Sequence, residues 1–75
     1  PTKAWARVTK KLKGQKSWTQ LVYSKISQSG DGILADPLLN ERRLESMAAA
    51  DSLVEIPEGC SEVDEGTLTR VWLFR

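Results

Sequence analysis

Trp18-Thr19-Gln20-Leu21-Val22-Tyr23-Ser24-Lys25-Ile26-Ser27 is dense in aromatic and β-branched residues, and Ser29-Gly30-Asp31-Gly32 and Ile33-Leu34-Ala35 follow it closely. Such side chains suit a pleated, half-buried surface, and Gly and Asp tolerate the positive φ that a tight hairpin needs. The stretch therefore predicts a strand over 18–27, a hairpin turn and a returning strand. Trp18, Val22 and Ile26 share one face, while Leu21 and Tyr23 share the other. Both faces are partly apolar, so the strand is expected to be central. Asp36-Pro37 ends the returning strand, because proline donates no ladder hydrogen bond.

The pattern continues on both sides. Residues 4–12 alternate, with Ala4, Ala6, Val8 and Leu12 on one face and Trp5, Arg7, Thr9 and Lys11 on the other, which predicts a half-buried strand. Lys10 breaks its apolar face, and Lys13-Gly14-Gln15-Lys16 reads as a loop. Downstream, Asn40 suits a helix N-cap, and Leu44, Met47 and Ala48 then fall at helical spacing, predicting a short helix over about 41–50. Leu53-Val54-Glu55-Ile56 reads as a strand. Pro57-Glu58-Gly59 fits a type I turn with Pro second and Gly fourth. Gly66 closes an acidic loop, and Thr67 to Phe74 is the final strand, with Val71 and Leu73 opposite Trp72 and Phe74. About five short strands and one helical turn predict an all-β fold, a small barrel of β-clip type.

Size agrees. Seventy-five residues, 40% hydrophobic and 28% charged, describe one small globular domain spanning 1–75. A chain of this length buries only roughly 60% of its unfolded surface, enough for one modest core. No apolar run approaches the ~20 residues that cross a bilayer, and Pro1 to Trp5 lack a signal-peptide core. A cytoplasmic location is expected, and the single Cys60, unable to close an intrachain disulfide, agrees with a reducing compartment. A chain beginning at Pro1 without a catalytic set reads as a segment of a longer protein.

The net charge is +1, but residues 1–30 carry seven cations and no acid, leaving −6 for residues 31–75. The halves can pair as neighbouring strands, or the basic segment can form a face for phosphate or nucleic acid.

Missing residue types bound the chemistry. Without histidine the chain has no Ser-His-Asp or Cys-His machinery and no His-based zinc site. One cysteine cannot build a Cys-rich metal site, and no Gly-rich phosphate loop occurs. No catalytic residue and no metal ligand is assigned, and the isolated chain is not expected to be catalytic. Glu58, Glu62, Asp64 and Glu65 read as a solvated acidic loop, and Cys60 as an inert thiol. Trp5, Trp18 and Trp72 are expected in strands and in the core. Exposed beside Lys11 and Lys13, Trp5 and Trp18 would instead form a stacking platform for a base or a pterin. Arg42 and Arg43 follow the expected N-cap, where free N–H groups attract anions and arginine adds bidentate contacts. Otherwise they pair with Glu41, Glu45 or an acid of the 61–65 loop.

The segment from Arg43 to Gly59, Arg-Leu-Glu-Ser-Met-Ala-Ala-Ala-Asp-Ser-Leu-Val-Glu-Ile-Pro-Glu-Gly, resembles the C-terminal domain of the molybdopterin molybdenumtransferase family (bacterial MoeA and the E domain of gephyrin). Ala50-Asp51 stands where that family has Ala-Asn, and Leu53 to Pro57 match its aliphatic strand and proline. Ala6-Arg7-Val8, the loop from Glu62 to Gly66 and Val71-Trp72-Leu73 agree in order. Arg43 and Ser46 match an Arg-Leu-x-Ser-Met pattern. One departure is Ala35-Asp36-Pro37-Leu38-Leu39, where the family carries a Ser/Thr-Gly segment near its substrate cleft.

The resemblance implies an accessory domain of a molybdenum cofactor biosynthesis protein. It would line the cleft where a homodimeric parent inserts molybdenum, from molybdate and with Mg²⁺, into adenylylated molybdopterin. Its partners would be the other domains of the parent and an anionic pterin nucleotide; the resemblance carries over Arg43 and Ser46 as substrate-binding residues, and charge and position add Arg42, Lys11 and Lys13. The isolated domain would carry no cofactor. Two rivals rest on residues alone: a small nucleic-acid-binding barrel, from the basic segment and its tryptophans, and a purely structural or interaction domain.

Overall fold

The chain was analysed as a computed structural model that describes residues 2–15, 17–30, 32–39 and 42–74. Among these the elements run β1 (Thr2–Val8), β2 (Leu12–Lys13), β3 (Gln20–Ser29), β4 (Gly32–Pro37), α1 (Arg43–Ala49), β5 (Ser52–Ile56), β6 (Glu62–Val63) and β7 (Leu68–Leu73). Strands β1-β4-β3-β5-β7 close into a barrel, and β2 pairs with β6 in a separate two-stranded sheet. The expected all-β small barrel with one short helix is the fold observed.

The hairpin that anchors it is β3–β4, paired from Ser24↔Pro37 to Ser29↔Gly32. Gly32 sits at a φ of +136°, a conformation side chains resist. Asp31, part of the expected turn, lies outside the described residues. β3 is central as expected, pairing with β4 along its second half and with β5 from Gln20↔Ile56 to Ser24↔Ser52. β7 pairs with β5 and β1, and a short parallel contact, Arg7↔Leu34 and Val8↔Ala35, shuts the barrel between β1 and β4.

A five-stranded barrel is narrow, because diameter scales with strand number. Its interior accepts small or β-branched side chains: Ala6, Val8, Ala35, Val54, Ile56 and Val71 are buried, with Ser24 and Ser52 among them. This corrects the reading of the tryptophans as core. Trp5 and Trp18 are 56% and 57% exposed, and Trp72, half-buried, lies on the outer face of β7, its Nε1 donating to Glu55 Oε1 at 2.9 Å. An indole does not fit inside, so alternation turns Trp5 and Trp72 outward.

Other boundaries shift. β1 stops at Val8 because Thr9 and Lys10 bend away: Thr9 Oγ1 donates to Asp36 Oδ1 at 2.6 Å, and Lys10 Nζ lies 3.5 Å from the same atom. Leu12 remains buried, but in β2. Trp18 precedes β3 rather than belonging to it. The turn after β5 runs from Pro57 to Cys60, with Cys60 N donating to Pro57 O at 3.1 Å and Gly59 third, at a φ of +89°. A positive φ there marks a type II geometry, not the type I turn expected. β6 lies inside the stretch read as a solvated acidic loop, with Val63 buried. Helix α1 is shorter than expected, and its N-cap position is Arg42, with no side-chain cap; Asn40 lies outside the described residues.

The two charge halves do meet. Lys10–Asp36 and Lys11–Glu62, each at 3.5 Å, join the basic segment to the acidic one. Both pairs are about half exposed, so each is worth at most about 1 kcal/mol.

Candidate functional site

The 38–50 segment returns the chain from β4 to β5 and lays α1 beside β3. Leu38 N donates to Tyr23 O at 3.0 Å, and Ser46 Oγ reaches Leu38 O at 3.4 Å. Ser46 is buried, while Leu44 and Met47 on the same helix are exposed. On the other side, Gly14 N donates to Ser61 O at 2.9 Å, fixing β2 against the 60–63 segment.

Between these walls lies a groove of about 720 Å³. Lys11 and Lys13 enter from β2, Gln20 to Tyr23 form the β3 floor, and Leu38, Leu39, Arg43 and Ser46 form the helix side. Four of the five residues expected to bind substrate, Lys11, Lys13, Arg43 and Ser46, are thus brought together from distant parts of the sequence. Arg42 is exposed but does not line the groove.

Among the described residues the electrostatics are one-sided, since none that lines the groove is acidic. Lys11 shares its charge with Glu62 at 3.5 Å. Lys13 and Arg43 form no ion pair with a described residue. The expected pairing of Arg43 with an acid is therefore not seen among the described residues. The floor is apolar and aromatic, with Leu12, Leu21, Val22 and Tyr23. Gln20 Oε1 is buried in it without a hydrogen-bond partner, and an unmet acceptor of this kind costs about 1–3 kcal/mol.

The groove suits an amphipathic anion, with a ring on the apolar floor and oxyanions at the two unpaired cations. No described lining residue offers the carboxylate oxygens by which proteins commonly hold Mg²⁺. Among the described residues no three His, Cys, Asp or Glu side chains gather to hold a metal.

Sequence reasoning missed Gln20, Tyr23 and Leu38–Leu39 as groove residues. Partly apolar faces on both sides of β3 were the available signal, since the outer face had to meet something. Trp5 and Trp18 are exposed, as the alternative of a stacking platform required, but neither lines this groove with Lys11 and Lys13.

The architecture is thus a closed five-stranded barrel with a short helix beside a groove that holds Lys11, Lys13 and Arg43. Residues 6–74 match the MoeA C-terminal region (domain IV), and the chain belongs to that family. It is a C-terminal domain of a molybdenum cofactor biosynthesis protein, a domain of a larger parent chain. No curated protein matches the chain.

Proposed function

We propose that this domain forms the basic wall of the cleft in which its parent, a cytoplasmic homodimeric transferase, inserts molybdenum into adenylylated molybdopterin. The observation that carries the reading is the meeting of Lys11, Lys13 and Arg43 over an apolar floor with no acid among the described lining residues. Lys13 and Arg43 would hold the phosphate oxyanions, and Tyr23 and Leu21 would take the ring. Ser46, already engaged with Leu38 O, would position Arg43 rather than touch the ligand. Molybdate and Mg²⁺ belong to the parent's reaction, and the Mg²⁺ would be held by carboxylates of other domains. The outer apolar patch of Leu21, Leu53, Trp72 and Phe74 is a surface that such domains could cover.

The test is binding of an anionic pterin nucleotide to the parent, with molybdenum insertion as a second readout. A hydrogen bond to a charged group contributes about 1.5–3 kcal/mol, and about 1.4 kcal/mol is tenfold in affinity. Arg43→Ala and Lys13→Ala should each weaken binding about tenfold or more, and Arg42→Ala should change it little. Equal effects at Arg42 and Arg43 would sink the proposal.

A further inference from the structure

A second concavity opens on the outer wall at the β1–β4 seam and shares no lining residue with the first. It measures about 390 Å³ and is lined by Trp5, Arg7, Ser29, Gly32, Leu34 and Leu68, with Ile33. Its chemistry comes from two neighbours on the outward face of β1. Trp5 is 56% exposed, and the Arg70 guanidinium sits over its ring at 5.0 Å from the centroid. Arg7 Nη1 donates to Gly66 O at 3.0 Å. That bond orients the guanidinium, which forms no ion pair with a described residue. No described residue lining the groove is acidic, and a side chain added at Gly32 would meet nothing within 4 Å, so the groove is open there.

We propose that this groove is a separate binding site for a ligand joining a flat aromatic ring to an oxyanion, of the nucleoside monophosphate class. The ring would lie against Trp5 with Leu34 and Leu68 at its edges, since indoles stack bases without regard to identity. The oxyanion would take the free N–H groups of Arg7, whose planar fork matches phosphate. Arg70, stacked on Trp5, steadies the indole and adds positive charge. Ring and anion are both needed, because the site offers one stacking surface and one oriented guanidinium in an open groove. The site stands independently of the first groove.

The test is a titration of the ¹⁵N-labelled 75-residue chain, followed by amide and indole N–H shifts at low salt. The probes are a nucleoside 5′-monophosphate, the bare nucleoside, inorganic phosphate and benzoate. The nucleotide is expected to give saturable shifts at the Trp5 indole, Arg7 and Gly32, with nucleoside and phosphate each binding at least tenfold more weakly. Trp5→Ala and Arg7→Ala should each weaken the nucleotide about tenfold, while Trp5→Phe keeps most of the affinity and Lys25→Ala, at an exposed residue of β3 outside both grooves, leaves it unchanged. Both variants alter exposed side chains, and unchanged peak dispersion elsewhere would show that they fold; Arg7→Lys, which keeps charge but loses the fork, should fall between. Benzoate binding as tightly as the nucleotide would support the ring-plus-oxyanion chemistry and make a carboxylate its source. Phosphate alone binding equally well, shifts confined to Lys13, Tyr23 and Arg43, or no saturable shift would overturn the proposal.

Discussion

Asp51 ties three strands to the end of the helix. Its N–H donates to Ser24 O at 3.1 Å, its carbonyl accepts from Phe74 N at 3.1 Å, and its Oδ1 accepts from Ile26 N at 2.9 Å and lies 3.1 Å from Ser52 Oγ. The Ile26 bond fills the place where β5 has ended and β3 would otherwise lose a partner. Asp51→Ala should therefore cost about 1–3 kcal/mol in urea unfolding, since it strands a partly buried N–H. Asp51→Asn, which keeps the accepting oxygen, should recover most of that; an asparagine as damaging as alanine would refute the acceptor role. Gly14 is a second sensitive point. A Cβ there would stand 2.5 Å from Cys60 O and 2.6 Å from Ile56 Cγ2. Overpacking of this kind costs roughly 1–3 kcal/mol, so Gly14→Ala should lower the urea midpoint without changing the m-value. An unmoved midpoint would mean that the 56–60 segment yields freely. Neither role was legible in the sequence, where Asp51 stood as a family variant of asparagine and Gly14 as a loop residue. Both depend on atoms from distant segments.

At the scale of elements, the β3–β5 pair carries two fully buried hydroxyls within the barrel. Ser24 Oγ and Ser52 Oγ are 2.6 Å apart, and Ser52 Oγ is also 3.1 Å from both Ser24 O and Asp51 Oδ1. Ser52 has one proton; given to the Asp51 oxygen, it leaves Ser24 to donate to Ser52. Ser52→Ala should cost about 1–3 kcal/mol by orphaning the Ser24 hydroxyl. The Ser24→Ala, Ser52→Ala pair should cost clearly less than the sum of the singles, as a double-mutant cycle would show. Strict additivity would contradict the shared bond. Alternation in β1, β3 and β7 was plain in the residues, because a period of two follows from the pleat itself. The element ends were less plain. β1 stops early because Thr9 and Lys10 find Asp36, and β6 forms where the buried Leu12 and Val63 come opposite each other.

For the whole molecule, charge separates stability from binding. The ion pairs Lys10–Asp36 and Lys11–Glu62 are half exposed and add little to stability. The unpaired Lys13 and Arg43 make the groove's field. Raising salt from about 50 to 500 mM shortens the screening length well below 10 Å or so. It should move the thermal midpoint by only a few degrees while weakening an anionic ligand severalfold or more. A midpoint falling as steeply as the affinity would mean that the pairs, not the core, hold the barrel. The basic and acidic halves were visible from composition, but composition left open whether they neutralise each other. They do so at two places among the described residues, where Lys13, Arg43 and Arg7 form no ion pair.

The sequence by itself determined the β class, the central hairpin, the short helix and the family pattern, because pleat period, turn chemistry and helix spacing are local properties. It also named most of the cations that meet in the groove. Only the tertiary structure decided which of them meet. Closure of a five-stranded barrel leaves no interior room for an indole, so Trp5 and Trp72 were turned outward, and Trp18 lies exposed before β3. The turn of 38–50 beside β3 set Arg43 in the groove and left Arg42 outside it, a distinction between adjacent arginines that depends on where the chain returns in space.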